Sequence, residues 1–333
     1  MPPVAPLLVA PGYSVVRIPL PLPLPDLKVV NAYAIGTQDG VTVIDPGWAS
    51  TESEAVLVAA LASMGYTPSD VRRILVTHAH WDHYTQAVKW RDELGAELLL
   101  GAEERHTIEA FDARAGIHPN QVPVLIRAGA PALARAVAAL QWEPYERDMP
   151  FAAPDRWLRD GDVIDAGGVS ITVHATPGHT RGHMAYQIAD MAVTGDHLLP
   201  RITPSIGFER APERLPLRSF LRSLQLFLHL PDARMLPAHG ETDRYTRLRA
   251  QELLDHHQSR LAIVTDLVVA GSSTAYAAAR QIRWTRHDRT LTELPTIHQM
   301  VAVLEVQAHL ELLVDTGVLG ADESAEVTTY ALR

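Results

Sequence analysis

Short apolar runs separated by turn residues fill the first 45 positions of the chain. Tyr13-Ser14-Val15-Val16-Arg17-Ile18, Val29 to Ile35 and Val41-Thr42-Val43-Ile44-Asp45 read as successive strands. Gln38-Asp39-Gly40 between the last two is a hairpin signal. The period then changes. Glu52 to Met64 carries Ala and Leu at helical spacing, with Gly65 behind it as a stop. Val71 to Val76 is a short buried strand, Asp82 to Leu94 a helix closed by Gly95, and Glu97 to Leu100 another strand. Strand and helix alternating after a meander predict a layered α/β domain.

Residues 102–150 break this rhythm with Ala-rich helical segments (Ala130 to Leu140) and the aromatic, proline-bearing stretch Trp142-Glu143-Pro144-Tyr145. Such an insertion either covers an active site or packs as a plain helical hairpin, and the pattern leaves both open. Strands resume at Trp157-Leu158, Asp162-Val163-Ile164, Val169 to His174 and Met184 to Ile188. A boundary is expected near residue 245, dividing the chain into domains 1–245 and 246–333. Beyond it come a strongly helical run from Tyr245 to Val269, a helix Ala275 to Ile282 capped by Ser273-Thr274, and a long helix from Pro295 to Thr316. A hairpin between Val318-Leu319 and Val327 to Leu332 closes the chain. That order of elements is the order of a winged-helix module.

Composition narrows the class. A chain of 333 residues can hold two or three domains, and 47% hydrophobic against 20% charged residues is the balance of a globular protein. No apolar stretch approaches the roughly 20 residues that cross a bilayer. Met1 to Pro6 lacks the basic and apolar regions of a secretory signal, so a cytoplasmic location without a membrane partner is expected. The absence of cysteine removes disulfides and thiolate ligands, so a metal site must be built from His, Asp and Glu. A net charge of −10 disfavours a protein that grips nucleic acid through a broad basic surface, although a local basic groove remains compatible.

The chemistry is concentrated in Thr77-His78-Ala79-His80-Trp81-Asp82-His83, where three histidines and one aspartate fall within six residues. His78 and His80, two apart, would diverge on a helix but converge at the end of a strand. Asp82 and His83 follow at the helix start, aimed at a neighbouring position. One cation could not use all four without strain, which predicts two metals side by side. Three later strand ends carry further candidates: His179 in Thr176-Pro177-Gly178-His179-Thr180, Asp196 in Val193-Thr194-Gly195-Asp196-His197, and His239 in Met235-Leu236-Pro237-Ala238-His239-Gly240. Each alone reads equally well as a turn residue. In this order, with the first cluster, they make seven ligands for two metals.

These motifs resemble the metallo-β-lactamase superfamily, whose signature is His-x-His-x-Asp-His followed by a later His, an Asp and a final His. The resemblance covers about residues 13–245. It implies an αββα sandwich with the site at one edge of the two sheets, followed by a small C-terminal helical, winged-helix-like domain. It implies that His78, His80 and His179 hold one ion, that Asp82, His83 and His239 hold the other, and that Asp196 bridges them. Val43-Ile44-Asp45-Pro46-Gly47 matches the family's early strand-end Asp, a support behind the metal loop. The ions would be two divalent cations, Zn²⁺ first, with Fe or Mn fitting the same set. Sharing a water, they would lower its pKa towards neutrality and give a hydroxide that attacks a carbonyl or phosphoryl centre.

Asp82 and the absence of cysteine are unlike the antibiotic-hydrolysing branch that uses a thiolate ligand. Trp81 beside Asp82 is similar to the hydroxyacylglutathione hydrolase branch, but Tyr84-Thr85-Gln86 stands where that branch has small residues. Asp82 is a candidate for proton transfer, and Tyr84 a candidate for a hydrogen bond to substrate, or a tyrosine packed at the helix start. His256-His257-Gln258-Ser259-Arg260 and the segment Glu305 to Leu313 are similar to the tail of the lactamase-β-like group, which includes thioesterases and a single-strand endoribonuclease. His256, His257 and His309 read as surface or interdomain residues. The leading expectation is a hydrolase of a thioester or related acyl ester, with a small-molecule or carrier-bound acyl substrate. A single-strand RNA endonuclease is the alternative, helped by Arg280, Arg283, Arg286 and Arg289. A DNA-binding regulator ranks below these, since Thr296 to Thr316 has no Lys or Arg, and a lactonase and a β-lactamase rank below them too. A homodimer is compatible with the chain.

Overall fold

Strands buried along nearly their whole length build two sheets with both faces covered. The computed structural model describes residues 6–24, 27–111, 117–143, 149–207, 209–285 and 287–333. Met1 to Ala5, Pro144, Tyr145 and Arg286 lie outside the described residues. The larger sheet runs in the order β1 (Pro6–Ala10), β2 (Tyr13–Pro21), β3 (Val29–Thr37), β4 (Gly40–Ile44), β5 (Val71–Val76), β6 (Glu97–Gly101), β7 (Arg156–Leu158). It is antiparallel from β1 to β4 and parallel from β4 to β7. The second sheet has the order β12 (Arg234–Pro237), β11 (Met191–Gly195), β10 (Met184–Ile188), β9 (Ser170–Ala175), β8 (Val163–Asp165), with β11 and β12 parallel.

Along β3, Tyr33 and Ile35 point between the sheets, where they meet Leu75, Leu99, Ile171, Val173, Tyr186 and Val193. Val30, Ala32 and Ala34 point the other way, into a core shared with α1 (Thr51–Ser63) and α2 (Trp81–Leu94). Such strands, buried on both faces, read as continuous apolar runs rather than alternating ones. The opposite sheet is covered by α6 (Pro216–His229) and α7 (Thr246–Val269) through Phe220, Leu224, Phe227 and Leu253. This is the αββα sandwich expected from the resemblance. β1 and α6 were not anticipated from the sequence.

Residues 102–150 supply α3 (Arg105–Glu109), α4 (Gln121–Arg127) and α5 (Pro131–Ala138). Leu125, Leu133 and Val137 share a core with Val264 of α7, Ala278 of α8 (Ala275–Gln281) and Val303 and Leu310 of α9 (Thr296–Asp315). A hairpin of β13 (Leu319–Asp322) and β14 (Thr329–Leu332) follows. One expectation is corrected: α9 is long and apolar enough to cross a membrane by length and composition. In this fold it is mostly buried, among them Met300, Val303, Val306 and Leu310, which is the setting of an all-round apolar core helix.

One contact ties the end of β6 to the second sheet. A Cβ on Gly101 would lie 2.0 Å from the carbonyl oxygen of Gly182, a backbone atom that no rotamer change can move. Gly101→Ala is therefore expected to destabilise the protein by about 1–3 kcal/mol, through overpacking. A denaturant midpoint equal to that of the unsubstituted protein would contradict this.

Candidate metal centre

Four strand ends converge at one edge of the sandwich. β5 ends at Val76 and delivers His78 and His80, and α2 begins at Trp81, so Asp82 and His83 lie in its first turn. The β9–β10 loop carries His179, and β11 and β12 end just before Asp196 and His239. One ligand-type atom from each of His78, His80, His179 and Asp196 lies within 4.8 Å of the others, and the same holds for Asp82, His83 and His239. Asp196 joins the two groups: its Oδ2 is 3.5 Å from His179 Nε2 and its Oδ1 is 3.4 Å from His239 Nε2. Asp82 Oδ2 is 3.7 Å from both His83 Nε2 and His239 Nε2.

The far nitrogens of these rings are tied to the scaffold. His179 Nδ1 donates to Ser205 O and His239 Nδ1 to Val29 O, both at 2.8 Å. His83 Nδ1 meets Asp45 Oδ2 at 3.0 Å, and His78 Nδ1 meets Thr77 Oγ1 at the same distance. Each such bond fixes ring orientation and leaves the opposite nitrogen aimed inward. The buried Nε2 atoms of His78, His83 and His239 and Oδ1 of Asp196 have no hydrogen-bond partner among the described residues. Buried polar atoms are seldom left so. Imidazole nitrogens and carboxylate oxygens in two adjoining groups fit two divalent cations.

Electrostatics agrees with this donor set. Burial holds His78, His80 and His179 below the usual histidine range, so each is neutral and keeps a lone pair. Burial opposes charge on Asp196, but His239, then His83 and His179, outweigh it and keep the carboxyl ionised. Burial also opposes charge on His83, yet Asp82, Asp45 and Asp196 raise it to about 10.

Asp45 is the support that the sequence pointed to. It takes a left-handed backbone (φ 51°), and its carboxylate accepts from Thr77 N at 2.7 Å and Thr77 Oγ1 at 2.8 Å as well as from His83. Asp45→Asn is expected to lower metal affinity by roughly 10–100-fold. Competition with a chelating dye measures it, and an unchanged affinity would exclude Asp45 as the orienting group.

Three supports were not foreseen. Glu104, fully buried, accepts from Ala79 N at 3.2 Å and from Thr180 Oγ1, joining the two His-bearing loops. Burial raises its pKa to about 7. Glu209 accepts from Arg181 N at 3.0 Å, and burial raises it to about 8. His183 accepts from Asp196 N at 3.2 Å and donates from Nδ1 to Thr176 Oγ1 at 2.8 Å, which sets the approach of Asp196. None sits in a motif; His183 is one of sixteen histidines, and Glu104 follows another glutamate.

One candidate is corrected and one open reading narrowed. Tyr84 does not face the ligands: it is fully buried in the α2 core, and its hydroxyl donates to Ala152 O. The fourth position of α2 turns the side chain away from the face that carries Asp82 and His83. Of the surface and interdomain readings of His257 and His309, the surface one does not hold: both are buried, with His257 Nδ1 3.2 Å from His309 Nε2 between α7 and α9. His257 also groups with His256 and Glu305 within 4.8 Å, on elements that carry none of the seven residues above.

Beside His80 and Trp81 opens a cavity of about 370 Å³, lined mainly by apolar side chains such as Phe111, Leu140, Trp142, Met149 and Phe151. Among the described residues lining it, Arg210 is the one Lys or Arg, and its guanidinium lies over Phe111 at 4.9 Å and Trp142 at 5.7 Å.

The sequence profile of the metallo-β-lactamase superfamily matches residues 25–239. A probable metallo-hydrolase of Burkholderia pseudomallei is 30% identical over 70% of this chain and 74% of its own. A hydroxyacylglutathione hydrolase of Acidiphilium cryptum is 28% identical over 69% of this chain and 70% of its own. The crystal structure of a metallo-β-lactamase family protein from Thermus thermophilus superposes with a TM-score of 0.77 at 29% identity, covering 97% of this chain and 99% of that one.

Proposed function

Because the chain belongs to the metallo-β-lactamase superfamily and is a metal-dependent hydrolase, the substrate is what its own residues must decide, and we propose a thioester or related acyl ester. In this reading His78, His80 and His179 hold one divalent cation, Asp82, His83 and His239 hold the other, and Asp196 serves both. Zn²⁺ is the first candidate for this nitrogen and oxygen set. Two such ions supply a water of near-neutral pKa and stabilise negative charge developing on a carbonyl oxygen.

The protein's own part is positioning and proton handling. Asp45 and Glu104 fix the loop from Thr77 to His83 from behind. The Ala79-His80-Trp81 edge forms one wall of the cavity, so a carbonyl held there lies beside His80. Asp82 Oδ2, 3.7 Å from two imidazole nitrogens, would accept a proton and pass it to the leaving group. The single observation that carries the acyl reading is that cavity. Among the described residues its walls are mostly carbon, and the one arginine among them is engaged with aromatic rings, whereas a phosphodiester chain calls for exposed cations. The similarity to a hydroxyacylglutathione hydrolase supports the thioester class.

Helix α9 also weighs against the nucleic-acid alternatives, since a helix packed into a core has no free face to present to a groove. The test is a panel of acyl thioesters, lactones and single-stranded RNA offered to metal-reconstituted protein. Thioester turnover with salt-insensitive kinetics is expected. Salt-sensitive RNA binding and cleavage, with thioesters untouched, would replace this reading by the nuclease one.

A further inference from the structure

The cavity beside His80 is assembled from parts of the chain far apart in sequence. Trp81 comes from the start of α2, Phe111 and Leu140 from the helical insertion, Phe151 from the run before β7, and Ile297 from the first turn of α9. An acyl thioester has a polar end, the thiol carrier, and an apolar end. A carbon-walled cavity contiguous with the ligand-bearing loop can take only the second favourably. Size sets a limit. A cavity of about 150 Å³ takes the six carbons of benzene, so roughly 370 Å³ accommodates on the order of a dozen.

Resting on the thioester reading above, we infer that this cavity is the acyl-chain site, that it selects apolar acyl groups of medium length, and that Ile297 makes the C-terminal region one of its walls. The insertion and α9 already share a core, through Leu125, Leu133 and Val137 against Val303 and Leu310, so they hold the cavity open as one packed body. Arg210 lies over Phe111 and Trp142, which keeps those two rings as wall and leaves chain length to Leu140 and Ile297. Ile297 and Leu140 are partly exposed, so each can be enlarged without emptying a core position.

The experiment uses the full-length, metal-reconstituted protein and straight-chain acyl thioesters of N-acetylcysteamine from two to fourteen carbons. kcat/KM is expected to rise by about fourfold per methylene and to level off near eight to twelve carbons. Ile297→Trp and Leu140→Trp are each expected to move that plateau to shorter chains and to lower the long-to-short ratio at least tenfold. Binding of straight-chain alkanols, followed through the fluorescence of Trp81 and Trp142 at the cavity wall, supplies a readout independent of turnover and metal. Thioester turnover with a flat chain-length profile and no effect of either tryptophan overturns the inference while the thioester reading stands. No thioester turnover, with alkanol affinity still rising per methylene and falling in both variants, keeps the cavity as an alkyl site and overturns the thioester reading instead.

Discussion

Replacing His80 or Asp196 by alanine is expected to cut hydrolysis by about a thousandfold or more while leaving the fold intact. Asp196 is the residue whose two oxygens face the two ligand groups, 3.5 Å from His179 Nε2 and 3.4 Å from His239 Nε2. Without it, both groups lose the carboxylate they share. His80 Nδ1 stands 3.2 Å from His179 Nε2, so its loss opens one group of nitrogens to solvent. Charge stabilisation by a bound cation contributes several kcal/mol at the transition state, and each 1.36 kcal/mol is about tenfold in rate. Steady-state turnover, beside circular dichroism for the fold, gives the answer. Either variant retaining full activity would show that the reaction does not use this site.

The second large effect is on stability. Chelation is expected to lower the thermal midpoint on the order of 10 °C, and added divalent cation to restore it. A ligand present at about a thousand times its Kd stabilises by roughly 4 kcal/mol. Two such ions act on an unfolding entropy of about 2.1 cal/mol/K per residue. The physical source is visible in the site. Among the described residues, four buried atoms (Nε2 of His78, His83 and His239, and Oδ1 of Asp196) have no hydrogen-bond partner, and bound cations would supply one. Calorimetry with and without chelator measures the shift. A midpoint unmoved by either treatment would mean that the native state binds no metal there.

The parts of this molecule that could be read from the sequence are those set by short-range rules. Val71 to Val76 and the stop at Gly95 follow from apolar runs and a left-handed cap, and the structure places the strand and the cap there. The seven candidate ligands were legible because each follows a strand end, and Asp45 because it does the same. Glu104, Glu209 and His183 were not, because their roles depend on contacts across loops: Glu104 reaches Ala79, 25 positions away. Tyr84 shows the converse. Next to a ligand in sequence, it is turned by helical geometry into the core. α9 was legible as a long helix but not as an interior one: its apolar residues run all round it, and packing against α4, α5 and α7 sets it in a core.

The most direct test is to restore metal stepwise to chelated protein while following thioester hydrolysis and counting bound ions per chain. Two divalent ions per chain are predicted at saturation, with activity absent from the metal-free protein and complete only when the second ion is bound. Full activity in metal-free protein, or at a single bound ion with no further gain, would contradict the two-ion centre built from His78, His80, Asp82, His83, His179, Asp196 and His239.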